Sequence, residues 1–199
     1  MKVERVSYDV MTPSAARGVL DAIYWHPGMR WIVDRIYVLN PIRFTNIRRN
    51  EVKAVLVASN AKSVMNGAKE ELFINTKDSI QQRAAMILTD VRYVIEAHFE
   101  MTDAAFPGDN EGKFTDIIKR RLAKGQFWHC PYLGCREFPA AFRAWEGGRI
   151  VTAYENEERD LGFMLYDMDY SDKTDIQPTF FRAVMKNGVI DLTDCEVIR

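Results

Sequence analysis

The side chains best suited to chemistry gather in one stretch, Asn110–Phe138, which reads NEGKFTDIIKRRLAKGQFWHCPYLGCREF. Its apolar residues Phe114, Ile117, Ile118 and Leu122 are spaced as one face of an amphipathic helix. Gly125 follows where a left-handed cap residue ends a helix. The cations Lys119, Arg120, Arg121 and Lys124 complement the negative end of the helix dipole, but Lys113 stands at the positive end and opposes it. A lysine at that position is a candidate for meeting an anion. His129 lies just beyond the helix and His26 lies far upstream. An imidazole titrates near pH ~6.5 and can pass a proton in either direction. His98 sits in a run of strict alternation and reads as structural. His129, Cys130 and Cys135 lack a fourth partner for a closed zinc site, so no metal is expected.

The elements that must position these groups follow from turn and cap signals. Thr12-Pro13 opens a helix as N-cap and first helical residue. Ala16, Val19, Leu20 and Ile23 continue it, which places Tyr24 near its last turn, and Pro27-Gly28 ends it. Residues 2–8, 30–39, 83–89, 91–101 and 132–143 read as strands, with 83–89 paired to 91–101. Ile42–Phe44 starts a further extended segment, and residues 58–79 form a polar excursion. The order predicts an α+β fold: a ferredoxin-like, RRM-like N-terminal domain over residues 1–145 with an inserted hairpin. A small antiparallel β domain is expected over residues 146–199, with Asn187-Gly188 as a hairpin turn.

Composition narrows the setting. A chain of 199 residues with 47% hydrophobic content can bury a real core. The absence of a signal-type apolar segment and three unpatterned cysteines suit a reducing, cytoplasmic setting, with no membrane partner. The net charge of −1 conceals segregation. Residues 110–145 carry seven Lys or Arg against three Asp or Glu, whereas residues 146–199 carry six against twelve. Residues 1–60 form a second basic block that includes Arg48 and Arg49. Local basic blocks permit nucleic-acid binding that the overall charge would not suggest.

ERVSYDVMTPSAARGVLDAIYWHP, PIRFTNIRRNEV, the NEGKF helix, GQFWHCPYLGCREFPAAF and FFRAVMKNGVI together resemble the type I-C (Dvulg) CRISPR-associated Cas5 proteins over essentially the whole chain. The resemblance implies a metal-independent endoribonuclease without a cofactor. It would cut precursor CRISPR RNA at the base of the repeat hairpin and remain in the type I-C antiviral surveillance complex with the other subunits. The ribose 2′-hydroxyl attacks the neighbouring phosphate and leaves a 2′,3′-cyclic phosphate. The family's catalytic tyrosine and lysine match Tyr24 and Lys113. In some relatives a histidine follows the lysine; here Phe114 does, so the acid–base role is either absent or filled from elsewhere, by His129 before His26. Arg48, Arg49, Lys119, Arg120, Arg121 and Lys124 would hold phosphates, and Trp25, Phe127 and Trp128 offer flat faces for unpaired bases. The resemblance also implies binding of double-stranded DNA without sequence preference. The competing expectation is a non-catalytic subunit holding the 5′ handle of the CRISPR RNA. Relatives begin about twenty residues earlier, which leaves two readings: residues 2–8 alone form the first strand, or the chain is an N-terminally shortened form.

Overall fold

The computed structural model describes residues 5–199. In chain order the elements are β1 (Arg5–Val6), α1 (Pro13–Ile23), β2 (Met29–Val38), β3 (Phe44–Val52), α2 (Ala58–Met65), β4 (Ile80–Leu88), β5 (Tyr93–Met101), α3 (Glu111–Lys124), β6 (Glu158–Asp169), β7 (Gln177–Lys186), β8 (Val189–Asp191) and β9 (Val197–Ile198). The fold is mixed α+β. Its described residues divide into two compact units: residues 5–7 with 43–89, and residues 8–42 with 90–199.

The larger unit is built on a sheet of order β5-β2-β8-β7-β6, with β9 on β7. β2 alternates buried and exposed residues up to a bulge between Val33 and Arg35. The core joins Ala16, Val19 and Ile23 of α1 to Val33, Ile36 and Val38 of β2, and to Met164, Phe181, Met185 and Ile190. Thr12 caps α1 by accepting from the Ala15 N–H at 3.2 Å. Asn187 and Gly188, with φ of 51° and 75°, make the expected hairpin turn between β7 and β8.

The smaller unit is a three-stranded sheet of order β1-β4-β3 plus α2. None of its described residues is fully buried.

Three expectations are corrected. The boundary near residue 145 does not separate compact units, because β6, β7 and β8 join β2 and β5 in one sheet. The strand expected at 83–89 does form, but β4 pairs with β3, while β5 pairs with β2. Alternation marks a strand without naming its partner. Residues 132–143 hold only an isolated bridge between Tyr132 and Pro139. Pro131 and Pro139 have no N–H for a ladder, and Gly134 turns the chain with a φ of 76°. Of the expected strand at residues 2–8, the described part, β1, pairs parallel to β4 in the smaller unit. Residues 2–4 lie outside the described residues.

Candidate active site

Lys113 stands in the first turn of α3, whose N-cap Asn110 accepts the Lys113 backbone N–H at 2.9 Å. The Lys113 Nζ donates to Asp109 Oδ1 at 2.7 Å. Asp109 is buried at its side chain, 1% exposed, while the lysine side chain is 49% exposed. Its Oδ2 accepts the Phe106 N–H at 2.8 Å. The Lys113 hydrogen bond, chiefly, holds the Asp109 carboxyl below its usual range. The same bond raises Lys113, with a smaller contribution from Tyr24. The ammonium therefore stays charged, tethered by one of its three hydrogens and open to an anion with the others. The helix N-terminus beside it adds positive potential.

Tyr24 is the C-cap of α1 and its ring is buried. It packs on Phe114 at 6.1 Å between ring centroids, with the Arg121 guanidinium 5.0 Å above its face. Trp31 Nε1 donates to the Tyr24 carbonyl at 2.9 Å. Burial is the main cause that pushes the phenol above its usual value, against Arg121 and Lys113. Tyr24 thus keeps its proton and can donate it in a hydrogen bond. Among the described residues its Oη has no hydrogen-bond partner, and it is not one of the fully buried side-chain atoms left without one. Tyr24, far from Lys113 in sequence, packs on the residue next to it in the helix.

Phe114 is wholly buried and closes a small core with Tyr24, Met29 and Trp31. Helix phase decides this: Lys113 faces outward and its neighbour faces in. Arg121 lies seven residues after Phe114, on the same side of the helix. It turns inward to donate to the Ile23 carbonyl and to cover Tyr24. Lys119, Arg120 and Lys124 are exposed.

His129 is exposed, and its backbone N–H reaches the Ala22 carbonyl at 3.3 Å. The described contacts bring His26, not His129, to the lysine's carboxylate: His26 Nδ1 is 3.7 Å from Asp109 Oδ2. His98 pairs with both oxygens of Asp34 at 2.9 Å, a structural histidine. Trp25 and Trp128 are exposed, and Phe127 packs edge-on to Phe142. In the smaller unit Arg48 is exposed opposite Ala84 and Arg49 is half-buried opposite Arg83, so the two side chains leave opposite faces of β3. Asp109 was missed in the sequence. Its signal was an acid four residues before Lys113, next to an Asn N-cap.

A mixed α+β protein with a tethered lysine, a buried-ring tyrosine and exposed cations and aromatics is suited to binding and straining a phosphodiester. Comparison with known proteins gives the particular group. The CRISPR-associated Cas5 family, in its Cas5d form, matches residues 1–193. The chain is 48% identical over 197 residues to the CRISPR pre-crRNA endoribonuclease Cas5d of Mannheimia succiniciproducens, covering 96% of this chain and 87% of that protein. It is 38% identical over 208 residues to the Cas5d pre-crRNA endoribonuclease of Thermus thermophilus, covering 96% and 83%. A crystal structure titled as a CRISPR-associated protein superposes with a TM-score of 0.68 at 25% identity, covering 98% of this chain and 88% of that one. This chain belongs to the Cas5d family of CRISPR-associated proteins.

Proposed function

We propose that this protein is an endoribonuclease that cleaves precursor CRISPR RNA at the base of the repeat hairpin without metal, and that it remains in the type I-C surveillance complex. The observation that supports the reading is that Tyr24 packs on Phe114, the helix neighbour of Lys113, whose ammonium is held by Asp109. Its relatives of known name are pre-crRNA endoribonucleases.

RNA brings its own nucleophile. The 2′-oxygen attacks phosphorus, the 5′-oxygen departs, and negative charge grows on the non-bridging oxygens between the two events. Lys113, charged and anchored on Asp109, meets that charge without reorganising. Tyr24 keeps its proton and offers its hydroxyl as a hydrogen-bond donor to the 2′-oxygen or a phosphoryl oxygen, which fixes the attack geometry. Exposed Lys119, Arg120 and Lys124 extend the positive surface along α3, while Trp25 and Trp128 stack unpaired bases. Arg48 and Arg49 contribute phosphate contacts from the smaller unit, and His129 contacts the RNA path beside α1. Duplex DNA, held through its backbone alone, is a secondary partner.

The run α1–β2–β5–α3, with β2 and β5 antiparallel, supports reading the larger unit as grown around a ferredoxin-like motif. No helix among the described residues is long and apolar enough to cross a membrane; the working location is the cytoplasm, where the RNA is made.

The test is incubation of the protein with its own repeat RNA in EDTA. A single cut leaving a 5′-hydroxyl and a 2′,3′-cyclic phosphate is expected. Tight binding without a cut would make the chain a non-catalytic holder of the 5′ handle.

A further inference from the structure

The cluster around Lys113 holds one more group that the reaction above leaves unused. His26 opens a tight turn, His26–Met29, closed by the Met29 N–H on the His26 carbonyl at 3.1 Å. Pro27 occupies the second position and sets its φ. Gly28 is required at the third, because a Cβ there would stand 2.7 Å from Ala105 Cα. Thr102 pins the turn from β5's end: its Oγ1 donates to the Pro27 carbonyl at 2.6 Å and its N–H to the Gly28 carbonyl at 3.0 Å.

The imidazole itself is equally fixed. The Gly28 N–H donates to Nδ1 at 3.0 Å. The ring lies 4.9 Å from Phe114 and meets Phe106 edge-on at 5.3 Å. Asp109 stands between it and the lysine, one carboxylate oxygen 2.7 Å from Lys113 Nζ and the other 3.7 Å from Nδ1. Among the described residues the buried side-chain nitrogens and oxygens without partners are Arg17 Nε and Arg83 Nε. His26 Nε2 has no protein partner and is not one of them, although the side chain is only 21% exposed. The open part of the ring therefore includes Nε2. The position after Lys113 carries a hydrocarbon whose buried ring supports this imidazole.

We propose that His26 is the general acid of RNA cleavage, donating its Nε2 proton to the departing 5′-oxygen. The assignment rests on the endoribonuclease reading above. As the bond from the 2′-oxygen to phosphorus forms and the bond from phosphorus to the 5′-oxygen breaks, the Nε2 proton completes the 5′-hydroxyl. The proton of the 2′-hydroxyl leaves to water, and water returns a proton to the ring. In the neutral ring Nδ1 accepts from the Gly28 N–H; on protonation Nδ1 gives up that bond and its own N–H turns to Asp109 Oδ2, while Nε2–H faces the substrate side.

Single-turnover cleavage by the full chain tests this with two RNAs: the natural repeat, and the same repeat with sulfur in place of the scissile 5′-oxygen. A thiolate departs without needing a proton. His26→Ala and His26→Asn are compared with the wild type; the Asn side-chain oxygen can still accept from Gly28 and hold the turn. Both variants should cut natural RNA about 100-fold slower or worse and cut the sulfur RNA within about 3-fold of wild type. Equal losses on both RNAs, or no loss on natural RNA, would overturn the assignment while leaving the nuclease intact. A wild-type chain that cuts neither RNA would overturn the endoribonuclease reading, and this assignment with it. If His26→Ala unfolds, the same comparison is decided by His26→Asn.

Discussion

The two compact units hold their polar side chains by different means. In the larger unit, Tyr24 and His26 pack on the buried ring of Phe114, and Asp109 holds the neighbouring Lys113 by a hydrogen bond. In the smaller unit, β3 and β4 are joined by a nine-pair backbone ladder from Phe44–Leu88 to Val52–Ile80, and no described side chain is fully buried. Backbone hydrogen bonds fix where a strand runs; packing fixes where a side chain points. A bond-breaking step needs the second kind of order, because small displacements of a catalytic group are costly. Holding phosphates along a strand needs only charge at roughly the right place. The proposed chemistry accordingly falls in the larger unit and the proposed tracking of RNA in the smaller.

The sharpest way to break this contrast is Lys113→Ala. Cleavage should fall about 100- to 1000-fold, as for loss of one preorganised electrostatic donor, while RNA affinity changes little. Equal losses in a binding assay would place Lys113 among the tracking contacts instead. Phe114→His comes next. It puts an imidazole into a fully buried site and should lower stability by about 2 kcal/mol without raising the cleavage rate. A faster enzyme would show that position 114 reaches the substrate. Trp128, 78% exposed, can be removed without disturbing the core. Trp128→Ala should weaken RNA binding by about 1 kcal/mol with an unchanged melting temperature. A falling melting temperature would mean that the indole serves the fold.

Arg48→Ala samples the smaller unit. It should leave saturated cleavage untouched and flatten the salt dependence of binding by about one phosphate's worth of slope. A loss of rate at saturating RNA would give the smaller unit a part in the chemistry. The smallest effect concerns Asp109, whose carboxyl is held down by Lys113. Its folded value lies below its unfolded one, so its stabilising contribution is complete above pH ~4 and is lost as the pH falls through the folded value. The melting-temperature gap between wild type and Asp109→Asn should be constant at neutral pH and shrink in acid below about 4. A gap that ignores pH would mean that Asp109 serves the loop through Phe106 alone.

Much of the local structure could be read directly. Thr12-Pro13, Asn110, Gly125 and Asn187-Gly188 each state a cap or a turn in one or two residues, and each lies where such residues belong. Lys113 was legible because a cation at a helix start is out of place unless something compensates it. The compensation, Asp109, is local as well, but it sits in a stretch that reads as plain loop. Arg121 looked like one more cation of a basic helix, although its phase relative to Phe114 already placed it on the inner side. The sequence put His129 before His26, with no contact to support the order. Each lies beside a helix end, and only the path of the loop at 102–109 brings Asp109 to one of them.

Sequence alone thus determined the helices with their caps, the strands with a clear alternation, the presence of a lysine poised for an anion, and the family. Tertiary structure decided which strands pair, where the chain divides, which cations turn inward, and which imidazole shares a carboxylate with Lys113. The physical reason is range. Caps, turns and periodicity are set by contacts within a few residues and leave their signature in residue type. Strand partnership and side-chain proximity arise from contacts between residues distant in the chain, where many pairings satisfy the same local pattern and only the packing of the whole core selects one.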